Sequence, residues 1–119
     1  MSLFMFMMVV ICFKEGNAGY NRIGDGLNEF PGDIPTQETR IFLGSNNLVT
    51  IPSSQLVNLT RVEWFIVNDN KLIAFPDFRP ISASLTTLSV EENLITTIPS
   101  EIIRELTALL ILHLEGQYA

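Results

Sequence analysis

The sequence predicts an α/β fold in which a repeated unit builds a short parallel β-sheet, one strand per unit. First, a pattern of apolar, asparagine and proline residues recurs along the chain, with Asn46, Asn70 and Asn93 spaced 24 and 23 residues apart. Second, apolar residues alternate before each asparagine, which is typical of a strand with one buried side. Third, 47% apolar and 17% charged residues in a chain of 119 suit one small packed domain and exclude a disordered tail.

The repeated unit has the same order of slots in three copies, which cover residues 41–52, 65–76 and 88–99. Each copy reads apolar-x-apolar-x-x-Asn-x-apolar-x-x-apolar-Pro. A fourth copy begins at Leu109 and places Gln117 in the asparagine slot, and a degenerate first copy covers 25–31. Because the order of slots and the spacing agree together, the repeat is a property of the chain and not a chance match.

Each slot of the repeat has a physical role. Apolar residues two apart on a strand point to the same side, so they are predicted to face the core. No single unit can bury that side alone, so stacked units share one core. The later apolar slots are also predicted to turn inward; they are occupied by Leu48, Leu72, Ile95, Ile51, Phe75 and Ile98.

The segments that return the chain from one strand to the next are predicted to be mostly irregular or briefly helical. Leu56, Leu59, Ile103 and Leu106 are assigned to the core from their spacing. A short helical turn is predicted over 101–105. The second return segment, 77–81, contains a proline and is predicted to be irregular coil.

The asparagines Asn46, Asn70 and Asn93 are predicted to form a structural ladder. Each lies where the chain leaves a strand, and a buried side-chain amide can pair with backbone groups that the sheet does not reach. Their predicted role is therefore structural and not ligand binding.

The pattern resembles the leucine-rich repeat, and more closely its extracellular variety, whose repeats continue x-x-Ile-Pro. The resemblance covers about residues 25–119 and implies an amino-terminal cap, a solenoid of about four repeats and a concave parallel sheet. Residues 26–35 resemble the cap, although the paired cysteines of the family's caps are absent here. The predicted division is a signal peptide at 1–18, a cap-like segment at 19–37 and repeats at 38–119. The individual repeats cover 38–61, 62–84, 85–108 and the incomplete 109–119.

The amino terminus is predicted to be a secretory signal. Residues 3–13 are apolar without interruption, a length that suits a signal peptide and is too short to span a bilayer. Small residues precede a predicted cleavage site after Ala18, so the mature chain would be secreted or extracellular and would lack Cys12, the one cysteine. The alternative is a buried strand or helix of the domain.

Composition excludes several functional classes. The net charge of −6 disfavours nucleic-acid binding, which needs clustered cations. One cysteine and one histidine leave no disulfide framework and no cysteine-based zinc site. We therefore expect no cofactor, no metal site and no membrane span in this chain.

The strand residues that alternate with the core residues are predicted to form a binding surface on the concave face. Solenoids bind partners there, and exposed aromatic residues beside charges are typical of protein interfaces. The candidate partner-binding residues are Arg40, Phe42, Trp64, Ile66, Asn68, Glu91 and His113. The alternative is that these apolar residues are exposed only because a neighbouring segment is missing.

Catalysis and ion binding are each suggested by one group of residues. Ser89, His113 and Glu115 provide a hydroxyl, an imidazole and a carboxylate, but Glu115 is predicted to lie too far along its strand to orient His113. No oxyanion hole is apparent, so the chain is predicted not to be an enzyme. Glu91, with Glu92 and Asp69, could bind Ca²⁺ loosely, the alternative being a solvated acidic patch.

The predicted function is non-catalytic recognition of a protein ligand by a secreted or cell-surface protein. The alternative is a spacer segment, or a truncated fragment of a larger receptor with no function of its own. Asn58 lies in the one N-x-Ser/Thr sequon and is predicted to be glycosylated on the convex side. The uncapped carboxy-terminal edge of the sheet is predicted to allow self-association.

Overall fold

The computed structural model describes residues 19–118. Five short strands form one parallel sheet in the order β1-β2-β3-β4-β5, the order of the chain. The strands are β1 (Tyr20–Asn21), β2 (Arg40–Phe42), β3 (Trp64–Ile66), β4 (Thr87–Ser89) and β5 (Ile111–His113). A parallel sheet with few helices, the coarse prediction from the sequence, is confirmed. The proposed signal peptide at 1–18 lies outside the described residues.

The return segments contain little regular structure. A 3₁₀ helix at Ser53–Gln55 follows β2, a second at Arg79–Ile81 follows β3, and α1 (Ser100–Ile103) follows β4. In the part of the chain that the structure describes, no helix has the length and apolar character needed to cross a membrane. The short helical turn predicted near 101–105 is confirmed, one residue earlier than expected.

The prediction of irregular coil at 77–81 is wrong. Pro80 lies in the first turn of the 3₁₀ helix, where its missing N–H would have no partner within the helix in any case. Phe78 and Ile81 on either side are almost completely buried and anchor this turn to the core. Proline is therefore compatible with the helix here.

The core lies on one side of the sheet and is lined by the predicted slots. Ile41, Phe65 and Leu88 are fully buried, as are the residues two positions after each of them. Phe65 stacks against Phe30 with the ring centroids 6.2 Å apart, and it meets Phe78 edge to face at 5.2 Å. The predicted strand phase is thus confirmed.

One inward assignment near the last complete return segment is corrected. Ile98, predicted to be in the core, is 37% exposed. Ile103 of α1 packs against the core as predicted, although it is only partly buried. The neighbouring Ile102, which the spacing did not indicate, is the buried residue of α1.

The segment predicted to be cap-like contains a strand that the repeat pattern did not indicate. Tyr20 and Asn21 of β1 pair in parallel with Ile41 and Phe42. The pairing continues beyond β1, because the Arg22 amide donates to the Phe42 carbonyl at 2.9 Å. This segment therefore extends the sheet by one strand.

Candidate functional site: the open face of the sheet

The side of the sheet opposite the core, here called the open face, brings together three rows of side chains. The register pairs Arg40 with Trp64, then Thr87, then Ile111, and in the second row Phe42 with Ile66, then Ser89, then His113. A third row follows the strands and contains Gly44, Asn68, Glu91 and Glu115. Each row contains the residues that the repeat spacing had predicted to lie side by side.

The apolar end of the open face is more buried than the sequence predicted. Phe42 and Ile66 are each only 2% exposed, so the expectation that they are solvent-exposed is wrong. They form a second small cluster with partly buried Trp64, Ile111 and Ile23. Neighbouring strands of a sheet lie about 4.8 Å apart, so large side chains in adjacent rows cover one another.

Arg40 and Trp64 form the accessible part of this end. The Arg40 guanidinium lies 4.4 Å from the centre of the Trp64 ring, a cation–π arrangement. The same ring meets Phe42 edge to face, with centroids 6.4 Å apart and an interplanar angle of 87°. Since Arg40 and Trp64 are both half-buried, a planar cation and an aromatic ring are available at the surface and held in place from below.

Asn68 lies in the third row and is half-buried. Its side-chain amide donates to the Asp69 carboxylate at 3.0 Å. A Cβ atom at Gly44, in the neighbouring position, would lie 2.7 Å from Asn68 Oδ1. A side chain at position 44 would therefore displace the Asn68 amide from its present position.

At the opposite end of the open face, a histidine lies between two carboxylates. His113 Nδ1 lies 3.3 Å from Glu91 Oε1 and 3.7 Å from Glu115 Oε1. The prediction that Glu115 is too distant from His113 is wrong, because its flexible side chain folds back along the strand. Glu91 is fully buried here, which corrects its assignment to an exposed binding surface.

Two residues beside this acidic end also interact. Tyr118 Oη donates a hydrogen bond to Glu92 at 2.6 Å. This hydrogen bond, together with the negative charge of Glu92, raises the pKa of Tyr118 above its usual value. The sequence indicated Glu92 as part of an acidic patch that could bind calcium loosely, but it gave no indication of the contact with Tyr118.

The asparagine ladder has the geometry predicted from the repeat. Asn70 Oδ1 accepts from the Leu48 amide at 3.0 Å, and Asn70 Nδ2 donates to the Leu43 carbonyl at 2.9 Å, both in the preceding repeat. Asn46 and Asn93 make equivalent bonds to the units before them. Gln117 continues the series by accepting from the Ile95 amide at 3.0 Å. The ladder residues are therefore structural.

Asn58, the sequon residue, is exposed and lies in a return segment. It lines two neighbouring surface grooves, one with Phe30, Pro52 and others from the cap-like segment and first return, the other with Thr36 and Arg61. Its position leaves the side chain accessible from solvent. Exposure at Asn58 agrees with the prediction from the repeat, whereas glycosylation remains a prediction.

Sequence reasoning missed Ile23, which packs on the open-face cluster from the cap-like segment. The repeat pattern carries no information about this residue, because it lies before the first recognisable slot. The position of Ile23 follows from the pairing of β1 with β2, which the sequence did not predict. This pairing brings the segment after β1, and with it Ile23, against the cluster of Phe42 and Ile66.

Comparison with known proteins gives one informative similarity. No protein-family model matches the chain. The chain is 32% identical over 83 residues to leucine-rich repeats and immunoglobulin-like domains protein 3 of Homo sapiens. The match covers 70% of this chain but only 7% of that much longer protein. This similarity supports a leucine-rich-repeat-like character and the general function of a protein-interaction module.

Proposed function

We propose that the chain is a non-catalytic protein-binding module of a secreted or cell-surface protein with leucine-rich repeats. In this proposal residues 19–37 serve as the amino-terminal cap, and 38–119 form about four repeats of a solenoid. The open face is its concave, partner-binding side. Recognition there is noncovalent and needs no cofactor.

The single observation that carries this proposal is the Arg40–Trp64 pair on the open face. Arginine and tryptophan are enriched among the residues that contribute most to protein interfaces. Here the ring is supported from below by buried Phe42, and the guanidinium lies over it at 4.4 Å. A preorganised pair of this kind loses little side-chain entropy when a partner covers it.

The chemistry of the open face also indicates what the partner surface must provide. The Arg40 end combines a cation with aromatic and aliphatic surface, while the far end exposes the carboxylate of Glu115. A partner with an acidic or aromatic group facing Arg40 and a basic group facing Glu115 would complement both ends. Half-buried Asn68 lies between them and supplies hydrogen-bonding groups.

The proposal is tested by binding of the secreted full chain, presented as a tetramer, to an array of extracellular proteins. For a protein that binds, the Arg40→Glu variant is compared with Arg61→Glu, a matched charge reversal in a return segment. We expect Arg40→Glu to weaken binding about 10-fold or more and Arg61→Glu to leave it unchanged. Equal effects of the two variants, or no binding to any array member, would contradict the proposal.

Export is tested separately in cultured eukaryotic cells. The secreted chain is expected to begin at Gly19, after cleavage of residues 1–18. Removal of glycans by an amidase should lower its mass and convert Asn58 to Asp. Full-length protein that stays in the cytosol would contradict the extracellular assignment, and an unmodified Asn58 in secreted protein would contradict glycosylation alone.

A further inference from the structure

The one histidine of the chain lies at the centre of three ligand groups that the sheet register brings together. His113 lies in β5, Glu91 lies two residues after the end of β4, and Glu115 lies two residues after His113. One nitrogen or oxygen atom from each of the three residues lies within 4.8 Å of the others. Imidazole nitrogen with carboxylate oxygen is a ligand set that suits Zn²⁺ and neighbouring divalent transition metals.

The distances agree with those between ligands of one metal ion. Zinc–nitrogen and zinc–oxygen bonds of about 2.0–2.1 Å at tetrahedral angles place two ligand atoms about 3.3 Å apart. His113 Nδ1 and Glu91 Oε1 are 3.3 Å apart, which is longer than a charge-assisted hydrogen bond of about 2.8 Å. Glu115 Oε1 is slightly farther from Nδ1, at 3.7 Å, but its side chain is 58% exposed and can adjust.

A second observation beside the three ligands points to the same function. Within residues 19–118, the buried atoms Ser89 Oγ and His113 Nε2 have no hydrogen-bond partner. Ser89 is completely buried, pairs with His113 in the register, and lies two residues before Glu91 on the same face. Metal-binding histidines almost always donate their second N–H to a nearby acceptor, and the unpartnered Ser89 hydroxyl in the adjacent strand is an acceptor that His113 could use when an ion is bound.

We propose that Glu91, His113 and Glu115 bind a divalent first-row transition metal ion of the Zn²⁺ type. His113 Nδ1 and one oxygen from each carboxylate are the protein ligands, and water occupies the remaining position. Ser89 orients the imidazole by accepting a hydrogen bond from Nε2–H. This differs from the expectation of no metal site, which rested on the small number of His and Cys residues and could not include the register.

The charge and burial of the ligands favour a transition metal over Ca²⁺. Two carboxylates meet here and one of them, Glu91, is fully buried, so a divalent ion would compensate the buried negative charge. Calcium takes six to eight oxygen ligands, whereas this site provides an imidazole nitrogen and two carboxylates. The three ligands do not include Arg40 or Trp64, which carry the proposed binding function, so metal binding can be tested without a protein partner.

The test is titration of the metal-free full chain with Zn²⁺ followed by calorimetry, and with Co²⁺ followed by its visible absorption. We expect one ion per chain, an intense four-coordinate Co²⁺ spectrum and a higher melting temperature with Zn²⁺. Glu115 is an exposed ligand, so its replacement does not disturb the core. The Glu115→Gln variant should bind Zn²⁺ on the order of 100-fold more weakly. Glu63→Gln removes the same charge at an exposed position away from the three ligands and should have no effect.

Ser89→Ala tests the orienting role without removing a ligand. Because Ser89 Oγ has no partner within the described residues, its loss should leave the metal-free melting temperature unchanged or higher. The affinity for Zn²⁺ should fall about 10-fold. The site is refuted if native protein binds no Zn²⁺ at millimolar concentration, or if Glu115→Gln and Glu63→Gln bind equally well. Unchanged affinity in Ser89→Ala would refute the role of Ser89.

Discussion

At the scale of single residues, a left-handed residue precedes every position of the ladder. Ser45, Asp69 and Glu92 have φ angles of 57°, 55° and 59°, and Gly116 has 74°. This conformation costs a residue with a side chain roughly 1–2 kcal/mol. It recurs because it turns the following amide inward, where the ladder hydrogen bonds offset the strain.

Replacement of Asn70 by alanine should lower the free energy of unfolding by about 3 kcal/mol. The substitution leaves the buried Leu48 amide unpaired, which costs about 1–3 kcal/mol. It also removes one hydrogen bond each from the Leu43 and Val67 carbonyls, which keep those from Asn46 and Asn93. Urea denaturation measures the change, with Asn47→Ala, next to the ladder residue Asn46, as the control. A loss below about 1 kcal/mol in Asn70→Ala would contradict the structural role of the ladder.

Replacement of Ser45 by glycine should raise the free energy of unfolding by about 0.5–1 kcal/mol. Glycine removes the left-handed strain at φ 57°, and this gain exceeds the larger entropy that glycine loses on folding. Ser54→Gly, in the 3₁₀ helix at Ser53–Gln55, is the matched control and should be destabilising. Thermal and urea unfolding of both variants give the comparison. Destabilisation by Ser45→Gly would show that the serine side chain has a role of its own.

At the scale of elements, the second 3₁₀ helix is held by an aspartate two residues before its start. Asp77 Oδ1 accepts from the Arg79 backbone amide at 3.1 Å and from Arg79 Nε at 2.9 Å. Asp77 Oδ2 accepts from Arg79 Nη2 at 2.9 Å, which completes a two-pronged ion pair. Local hydrogen bonds therefore support the helix.

The contribution of Asp77 to stability should depend on pH. Hydrogen bonds from Arg79 lower the pKa of Asp77 below its usual value of 3.8. A lowered pKa in the folded state means that the stabilisation is complete above about pH 4 and is lost as pH falls through the folded-state pKa. The stability difference between wild type and Asp77→Asn should thus be larger at pH 7 than at pH 2.

Urea denaturation across this pH range measures the difference, and Arg79→Gln serves as the partner variant. If the Arg79 guanidinium causes the effect, Asp77→Asn in the Arg79→Gln background should show a smaller pH dependence. A difference that stays constant from about pH 7 to about pH 2 would mean that Asp77 is not stabilised by ionisation in the folded state.

At the scale of the molecule, one core runs beneath all five strands, and the two outer strands are paired on one side only. β1 pairs with β2, and β5 pairs with β4, within residues 19–118. Near β5, Leu110 is 83% exposed and Tyr118 is 66% exposed. A sheet edge beside apolar surface favours association with further strands.

The isolated chain is therefore expected to associate at the β5 edge. Leu110→Lys places a charge beside this edge and should reduce association without lowering stability, because the leucine side chain is already exposed. Val57→Lys, at a residue 55% exposed in a return segment, introduces the same charge elsewhere and should not reduce it. Sedimentation at several concentrations distinguishes the variants. A wild-type monomer at all concentrations would contradict this prediction.

The sequence by itself determined strands β2 to β5, their order, the core side of each of them and the ladder. These features follow from spacing, because a period near 24 residues repeats the same local environment for each slot. The same spacing applies even where the residue type changes. Gln117 occupies the asparagine slot of the last repeat, and this position predicted the hydrogen bonds that it makes.

Only the tertiary structure decided how exposed the open face is and which of its groups meet. Phe42 and Ile66 are buried because Trp64 and Ile23 cover them, and Ile23 lies just after β1, outside the repeat pattern. His113 meets Glu91 and Glu115 because side-chain length and rotamer, and not the backbone spacing along one strand, decide that distance. Periodicity specifies the side of the sheet on which a residue lies, but burial and contact depend on side chains from separate segments of the chain.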